Sequence, residues 1–572
     1  MASSWLYRVM RRVMRSFSAP SVAAADARSP YERFRIDHLA RRQGRYSCAQ
    51  QPGLLSFVTT VWNTDVAYLR VLARSVLEQR GGTAFEWVVL DNGSTSAATI
   101  EYLAELDRHP CVRLHHTPAN LGIIGGMRYC LERATGRYIV PLDSDDWLYP
   151  DCVEILTWHI VRHGYPALAY TDEDKLAGET YLDPYFKPDW DPVLFADSVY
   201  IAHLCAIDRE RALALGVYSD RATEGSHDGD TFMRFHLAGH EPLHVPEVVY
   251  SWRMHPQSTA SNMDSKSYIH ESQKAVLARL LAAHPLGSDY TVEPSPFFAG
   301  TPDWWIRRRT APPPVATVVL SDEGGDDPAA CASECEGPRL VLRTSAPLAS
   351  AAAFAQDMAQ RDGLVRVAWC EVRPERDDAV ACAAAVMELF PDTVIVGGPV
   401  HGQDGAALAA GCYFGFGRGC DSPDRGRGMG DPGYFAQMWK QHSVSAVSSQ
   451  HMVVDARFLA SFIDRHAGIA ATFPALGAWA GAYARRLGKR VVYTPFLRAR
   501  CVEDWDLRVS DEERRDFVSR NYDLMPDTRF LSPRLGLTAE TAYLPVTSEA
   551  RETHLAAFAR VASQPAERRA MP

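Results

Sequence analysis

Three carboxylates crowd one short stretch, Asp143-Ser144-Asp145-Asp146, directly after the apolar run Tyr138-Ile-Val-Pro-Leu. So many negative charges at one edge repel each other unless a cation or a set of donors neutralises them. The plainer alternative is a solvated loop with an N-cap aspartate. Two other polar groups close apolar runs in the same way. Asn63 follows Leu54-Leu-Ser-Phe-Val-Thr-Thr60-Val-Trp62, and Asp91 follows Phe85-Glu-Trp-Val-Val-Leu.

The elements that must position these groups alternate. Residues 54–61, 85–90, 112–116 and 138–142 carry strand signals. Between them, apolar residues at helical spacing predict helices over 68–79, ended by Gly81-Gly82, over 99–106, and from Asn120-Leu121-Gly122 to Glu132. Strand–helix alternation predicts a parallel, doubly wound sheet, and ligands of such sheets bind beyond the carboxyl ends of the strands. Asn63, Asp91 and Asp143 to Asp146 all fall at such ends, which favours the binding reading over the solvated loop.

The chain has 572 residues, enough for two or three domains. A net charge of −10 excludes the basic face of a nucleic-acid binder. No run of eighteen apolar residues suggests a membrane span, and no secretory leader is evident. The 12 cysteines are scattered; Cys331 and Cys335 lack a second pair or a histidine at zinc spacing. A reduced, cytoplasmic protein is the simplest account. The division expected is an arm over 1–52, a first domain over 53–300, a Pro-rich linker over 301–315, a second domain over 316–545 and a tail over 546–572. In the arm, Trp5, Leu6, Val9, Met10, Val13 and Phe17 interleave with Arg8, Arg11, Arg12 and Arg15. That pattern suits a helix lying at a membrane surface or one docked on the protein's own body.

The first domain resembles family 2 glycosyltransferases of the nucleotide-diphospho-sugar (GT-A) fold. The resemblance is carried by Thr59-Thr60-Val61-Trp62-Asn63, Asp91-Asn92-Gly93-Ser94, Asn120-Leu121-Gly122 and Asp143-Ser144-Asp145-Asp146. Further along it is similar to the bacterial surface-polysaccharide branch, which includes rhamnosyltransferases. Tyr170-Thr-Asp172-Glu173-Asp-Lys175, Phe186-Lys187-Pro-Asp-Trp190, Gly225-Ser-His227-Asp228-Gly-Asp230 and Trp252-Arg253-Met-His255-Pro carry that likeness. Any one motif is weak; the ordered set is specific.

The resemblance implies a fold, a chemistry and a set of roles. The fold is a mostly parallel, Rossmann-like GT-A sheet. The chemistry is inverting transfer of a sugar from a nucleotide-diphosphate donor to a glycan or lipid-linked oligosaccharide, in bacterial surface-polysaccharide synthesis at the inner face of the cytoplasmic membrane. A diphosphate leaving group calls for Mn²⁺ or Mg²⁺ on oxygen ligands. Asp145 is the expected metal ligand, joined by His255. Asp143 lies nearer the ribose, and Asp146 supports the loop. Asp91 reads the base; Thr60, Asn63, Asn92 and Gly122 line the nucleotide; Arg253 pairs with phosphate oxygens. Asp228 is the expected general base, with a helix N-cap as its alternative and Asp230 as the better cap. His227 stands where many relatives carry Glu or Gln. Asp172, Glu173, Lys187 and Trp190 shape a donor or acceptor pocket, with core packing the alternative for Trp190. A non-catalytic nucleotide-sugar- or glycan-binding protein is the rival reading. A nucleotidyltransferase is disfavoured, because residues 59–64 lack the glycines and basic residues that would grip a triphosphate.

The second half reads as a degenerate GT-A-like copy of the first. Val245-Pro246 pairs with Thr494-Pro495 at an offset of 495 − 246 = 249, and Asp91 falls opposite Arg343 at 343 − 91 = 252. At these offsets Asp228 faces Gly477 and His255 faces Asp504, while the Asp-Ser-Asp stretch falls near Cys370-Glu371-Val372-Arg373. The Gly-rich stretch 415–433 reads as a long mobile loop.

Overall fold

The computed structural model describes residues 28–49, 51–80, 85–255, 268–298, 303–322, 337–466 and 472–563. The basic stretch of the arm, Gly81-Gly82 and the Cys331/Cys335 pair lie outside them. The chain divides into two compact units. The N-terminal unit holds the described residues of Val22–Ser288 and Pro294–Trp305; the C-terminal unit holds those of Asp289–Glu293 and Ile306–Pro572.

The N-terminal unit begins with α1 (Pro30–Arg42), whose start is set by Pro30 at the first turn and by Ser29, which caps the Glu32 amide. Then come β1 (Leu55–Val61), α2 (Val66–Leu77), β2 (Glu86–Asp91), α3 (Ala97–Leu106), β3 (Val112–His116), α4 (Gly122–Arg133), β4 (Tyr138–Pro141) and β5 (Trp147–Leu148). They are followed by α5 (Cys152–Arg162), β6 (Leu168–Ala177), β7 (Thr180–Tyr185), α6 (Pro192–Asp197), β8 (Cys205–Asp208), α7 (Arg209–Ala214), α8 (His227–Leu237), β9 (Leu243–Arg253) and α9 (Tyr268–Ala283). The main sheet runs β3-β2-β1-β4-β8-β6-β9-β5, with β7 on β6. Strands buried on both faces read as unbroken apolar runs; Phe57, Trp87, Val89 and Val140 in the middle of the sheet are solvent-free, packed with Leu69, Leu72 and Ile160 from the helices. The expected parallel sheet is interrupted: β5 runs antiparallel to β9 and β7 to β6 at one side, and a further reversal lies in its middle. Strand β8 runs antiparallel to both β4 and β6. The sequence signal for strands carries no direction, and β8 is reached by a long excursion through β6, β7 and α6.

The C-terminal unit contains β10 (Val315–Ser321), β11 (Arg339–Arg343), α10 (Ala352–Gln360), β12 (Leu364–Trp369), α11 (Ala379–Leu389), β13 (Thr393–Gly397) and β14 (His442–Val444). After them come β15 (His451–Asp455), α12 (Ala456–His466), α13 (Leu476–Arg486), β16 (Arg490–Tyr493), α14 (Asp511–Asn521) and α15 (Ser548–Ala562). Its main sheet runs β11-β10-β12-β15-β13-β16-β14.

The two sheets repeat one wiring. In the N-terminal unit β1 pairs parallel with β2 and β4, β8 pairs antiparallel with β4 and β6, and β6 pairs parallel with β9. In the C-terminal unit β10 pairs parallel with β11 and β12, β15 pairs antiparallel with β12 and β13, and β13 pairs parallel with β16. Register agrees residue by residue. Val61 faces Asp91 and Ser321 faces Arg343, so Asp91 and Arg343 are equivalent. Val58 faces Pro141 and Val318 faces Val367, which carries Asp143 onto Trp369 and Asp145 onto Glu371. Asp208 and Asp455 are equivalent, and each caps the helix that follows it. His244 and Tyr493 are equivalent, which reproduces the 249-residue offset at Pro246 and Pro495.

The stretch 415–433 departs from expectation. It is anchored rather than loose: Asp424 is buried, accepting from the Tyr543 hydroxyl at 2.5 Å and from Arg427 at 2.8 Å. Its glycines provide turns between these fixed points, with φ of 84° at Gly415 and 57° at Gly417.

Candidate functional site

The polar residues at the strand ends of the N-terminal unit form linked loops. After β1 the chain turns at Asn63, which adopts a left-handed φ of 52°. Its side-chain oxygen accepts from the amides of Thr95 (2.7 Å) and Ser96 (2.8 Å), tying this loop to the one after β2. Thr60 is half-buried on β1. The Asp91 carboxylate accepts from the Ser94 amide at 2.9 Å and lies 3.2 Å from His116 Nδ1. Asn92 is buried; its oxygen accepts from the Leu121 amide, and its amide group donates to the Gly122 carbonyl. Gly93 has φ 77°, and a Cβ there would lie 2.5 Å from the Ala119 carbonyl carbon, so only glycine lets these loops approach.

The carboxylate stretch splits into different environments. Asp146 is fully buried, and its two oxygens accept from the Arg253 amide at 2.7 Å and the Tyr250 hydroxyl at 2.5 Å. Burial, with Asp143 and Asp145 adding to it, pushes its carboxyl well above the usual range. Asp145 is partly exposed; its Oδ2 lies 2.7 Å from His255 Nε2, and its backbone carbonyl accepts from Arg253 Nε at 2.6 Å. His255 stacks on Tyr68. Arg253 is only 9% exposed, and its Nη2 has no hydrogen-bond partner among the described residues. Asp143 is 62% exposed, with His203 Nε2 at 3.4 Å.

His203 was invisible in the sequence. It sits in a stretch with no motif, and only the antiparallel β8 brings it beneath the carboxylates. Burial opposes its charge, but Asp143 and Glu173 on either side raise its basicity well above that of a free imidazole. Its ring lies parallel to Tyr250 at 5.0 Å. Glu173 is in turn held by Lys187. Burial would raise the Glu173 carboxyl, but Lys187 and His203 bring it down to about 2. Lys187 is solvent-free, donating to the Thr171 carbonyl at 2.8 Å and also bonded to the His203 carbonyl. Asp172 is equally buried, against His244 at 2.8 Å and the Lys187 amide at 2.9 Å. Lys187 and Asp172 therefore do not reach a substrate, contrary to the sequence expectation; they brace Glu173 and β6. Trp190 is half-buried against Phe195, Phe232 and His236, the packing alternative.

Asp228 stands in the first turn of α8 and is partly exposed, with His227 Nε2 at 3.5 Å. Ser226, not Asp230, occupies the N-cap position. Asp230 is buried in ion pairs with Arg234 (2.6 Å) and Arg279 (2.7 Å). That leaves Asp228 as the acidic group of this turn that meets solvent.

A divalent cation suits this edge. Asp145 Oδ2 and His255 Nε2 converge from opposite loops, and Arg253 Nη2 offers an unmatched donor beside them. Asp143, Asp146 and His203 also bring ligand atoms within 4.8 Å of one another. In that second group Asp146 already holds two donors, and His203 is flanked by Asp143 and Glu173. The Asp145–His255 side is the better fit.

Residues 56–202 match the profile described as Glycosyl transferase family 2. Among curated proteins, the chain is 32% identical over 252 residues to an uncharacterized protein, y4gI, of Sinorhizobium fredii, covering 43% of this chain and 27% of that one. It is 26% identical over 231 residues to the O-antigen biosynthesis protein RfbC of Myxococcus xanthus, covering 39% and 18%. It is 23% identical over 234 residues to the colanic acid biosynthesis glycosyl transferase WcaA of Escherichia coli, covering 39% and 81%. The chain thus spans about a quarter or less of the first two of these relatives. Among solved structures, TarS of S. aureus in complex with UDP-GlcNAc aligns at 15% identity and a TM-score of 0.34, over 40% of this chain and 66% of that one.

Proposed function

We propose, for a chain that carries a family 2 glycosyltransferase domain and has relatives in polysaccharide biosynthesis, that the N-terminal unit transfers a sugar with inversion. The donor is a nucleotide-diphosphate sugar, and the acceptor is a glycan or lipid-linked oligosaccharide of a bacterial surface polysaccharide. One observation carries this reading: Asp145, His255 and the unmatched Arg253 donor meet at the carboxyl edge of the sheet, above a loop fixed independently by Asp146.

The side chains divide the work. Asp91, held by the Ser94 amide, presents a carboxylate to the ring N–H of a uracil- or thymine-type base. Asp143, the most exposed of the three carboxylates, reaches toward the ribose. Arg253 directs its remaining N–H at the leaving diphosphate, a charge-assisted contact that strengthens as the sugar–phosphate bond breaks. Asp228 removes the proton of the attacking acceptor hydroxyl while the new glycosidic bond forms on the opposite face. Mn²⁺ or Mg²⁺, held by Asp145 and His255, would supply the charge neutralisation that lets a diphosphate leave.

The C-terminal unit is, on this reading, a second copy of the fold that has lost the site. At the shared register Arg343 replaces Asp91, Trp369 replaces Asp143 and Glu371 replaces Asp145. Loss of transfer on changing Glu371 or Glu375, with the N-terminal site intact, would overturn this part.

The decisive experiment is nucleotide release from UDP-, GDP- and dTDP-sugars with Mn²⁺ or Mg²⁺. At least one donor should turn over in wild type and none in Asp145→Ala. Turnover unaffected by that change, or binding of no donor at all, would refute the proposal.

A further inference from the structure

The C-terminal unit contains an open cleft lined among others by Cys412, Arg425, Ser448, Ala478, Asp504 and Trp505. Its position in the repeat is informative. Ala475 and Ala478, at the start of α13, correspond at the 249-residue offset to Ser226 and Gly229, which flank Asp228. Asp504 corresponds to His255 at the same offset. Ser321 and Arg343, equivalent to the nucleotide-side strand ends, are not part of the lining. The cleft thus reaches the positions equivalent to the Asp228 turn and to His255 and omits the strand ends equivalent to the base-binding edge.

The chemistry of the lining suits a neutral, hydroxyl-rich ligand. Each lining arginine is already ion-paired: Arg425 with Asp421, Asp504 and Asp506, Arg514 with Asp506, and Arg418 with Asp511. A phosphate would find its cations committed, whereas these carboxylates keep further lone pairs for hydroxyl donors. Two donors are uncommitted. Among the described residues, the indole N–H of Trp505, which is 1% exposed, has no partner, and the buried Nε of Arg514 likewise has none. An orphaned buried N–H is costly, and both residues that carry one line this cleft. Trp369, at the position of Asp143, packs on Trp505 with centroids 5.4 Å apart and fills the space where a metal site would lie. Gly477, at the position of Asp228, has no room for a side chain: a Cβ would lie 1.9 Å from the Val447 carbonyl oxygen. Transfer chemistry is excluded there, while a polar cleft persists.

We propose that this cleft is a non-catalytic saccharide-binding site that holds a segment of the acceptor glycan. The identity of that glycan as acceptor rests on the function proposed above; binding of a saccharide does not. The test is ligand-observed saturation-transfer NMR on the full chain with millimolar methyl glycosides of glucose, galactose, mannose and rhamnose and with N-acetylglucosamine. At least one should bind. Trp505→Phe, which leaves a smaller aromatic ring and removes the indole N–H, should weaken binding about three- to tenfold, the size of one hydrogen bond. Ala478→Gln, on the half-exposed face of α13, should block the cleft without removing any core group, and so tests the site even if Trp505→Phe fails to fold. Binding that survives Ala478→Gln, or that is displaced by UDP with Mn²⁺, places the sugar elsewhere and overturns the proposal. So does the absence of binding by every probe. Asp145→Ala separates the two readings. Saccharide binding retained in that variant supports the cleft whatever the nucleotide-release assay reports; binding lost in it overturns the cleft.

Discussion

Asp145 and Asp146 are adjacent in sequence and opposite in role, and alanine at each position should separate stability from activity. In Asp146→Ala the Arg253 amide and the Tyr250 hydroxyl lose their acceptor, and both residues are buried. Each orphaned donor costs about 1–3 kcal/mol, so the pair amounts to about 2–6 kcal/mol. For a unit of this size, about 3 kcal/mol corresponds to a fall in Tm of roughly 6–12 °C. In Asp145→Ala the side-chain bond lost among the described residues is the partly exposed contact with His255, since Arg253 Nε bonds to the Asp145 backbone carbonyl. That contact contributes about 1 kcal/mol or less, a shift of under roughly 4 °C. Activity should fall in both, but in Asp145→Ala without loss of fold. The assay is differential scanning calorimetry beside metal-dependent nucleotide release. Equal melting temperatures for the two variants, or a destabilised Asp145→Ala, would refute the division of roles.

Other outcomes follow from the same geometry. Asp228→Asn should lower kcat by about 10²–10⁴-fold with donor KM unchanged, as expected for loss of a general base; a raised donor KM with kcat intact would place Asp228 in binding. Arg42→Met should destabilise the N-terminal unit by about 3–5 kcal/mol by leaving Asp151 and Glu247 buried without their cation, read by urea denaturation. His244 lies between Asp172 and Asp189, and although burial opposes its charge, Asp172 raises its pKa to about 9. Its folded-state pKa exceeds the unfolded one, so its contribution, at most about 3 kcal/mol, is full below about pH 6.5 and is lost as pH rises through about 9. Melting curves across that window should flatten in His244→Asn.

Much of this was legible because the strands are short, apolar and closed by polar residues. The strand-end logic located Asn63, Asp91 and Asp143 to Asp146, and the internal offset of 249 emerged from Pro246 and Pro495 before any register was known. What the sequence withheld was non-local. His203 carries no motif, and its place under Asp143 depends on an antiparallel strand whose direction no periodicity encodes. Lys187 resembled a pocket residue through the family motif around it, but its partners, Glu173 and the carbonyls of Thr171 and His203, come from two other elements and bury it. Glycines in 415–433 suggested mobility, yet the carboxylate of Asp424 and the guanidinium of Arg427 between them supply the anchors.

The contact of Gly477 with the Val447 carbonyl bears on history as well as chemistry. A lost catalytic carboxylate can normally be regained by one codon change. Here the backbone closes over the equivalent position, so an aspartate would require the loop after β14 and the start of α13 to part first. Any side chain at position 477 would meet the same obstacle, so this packing confines that position at the start of α13 to glycine.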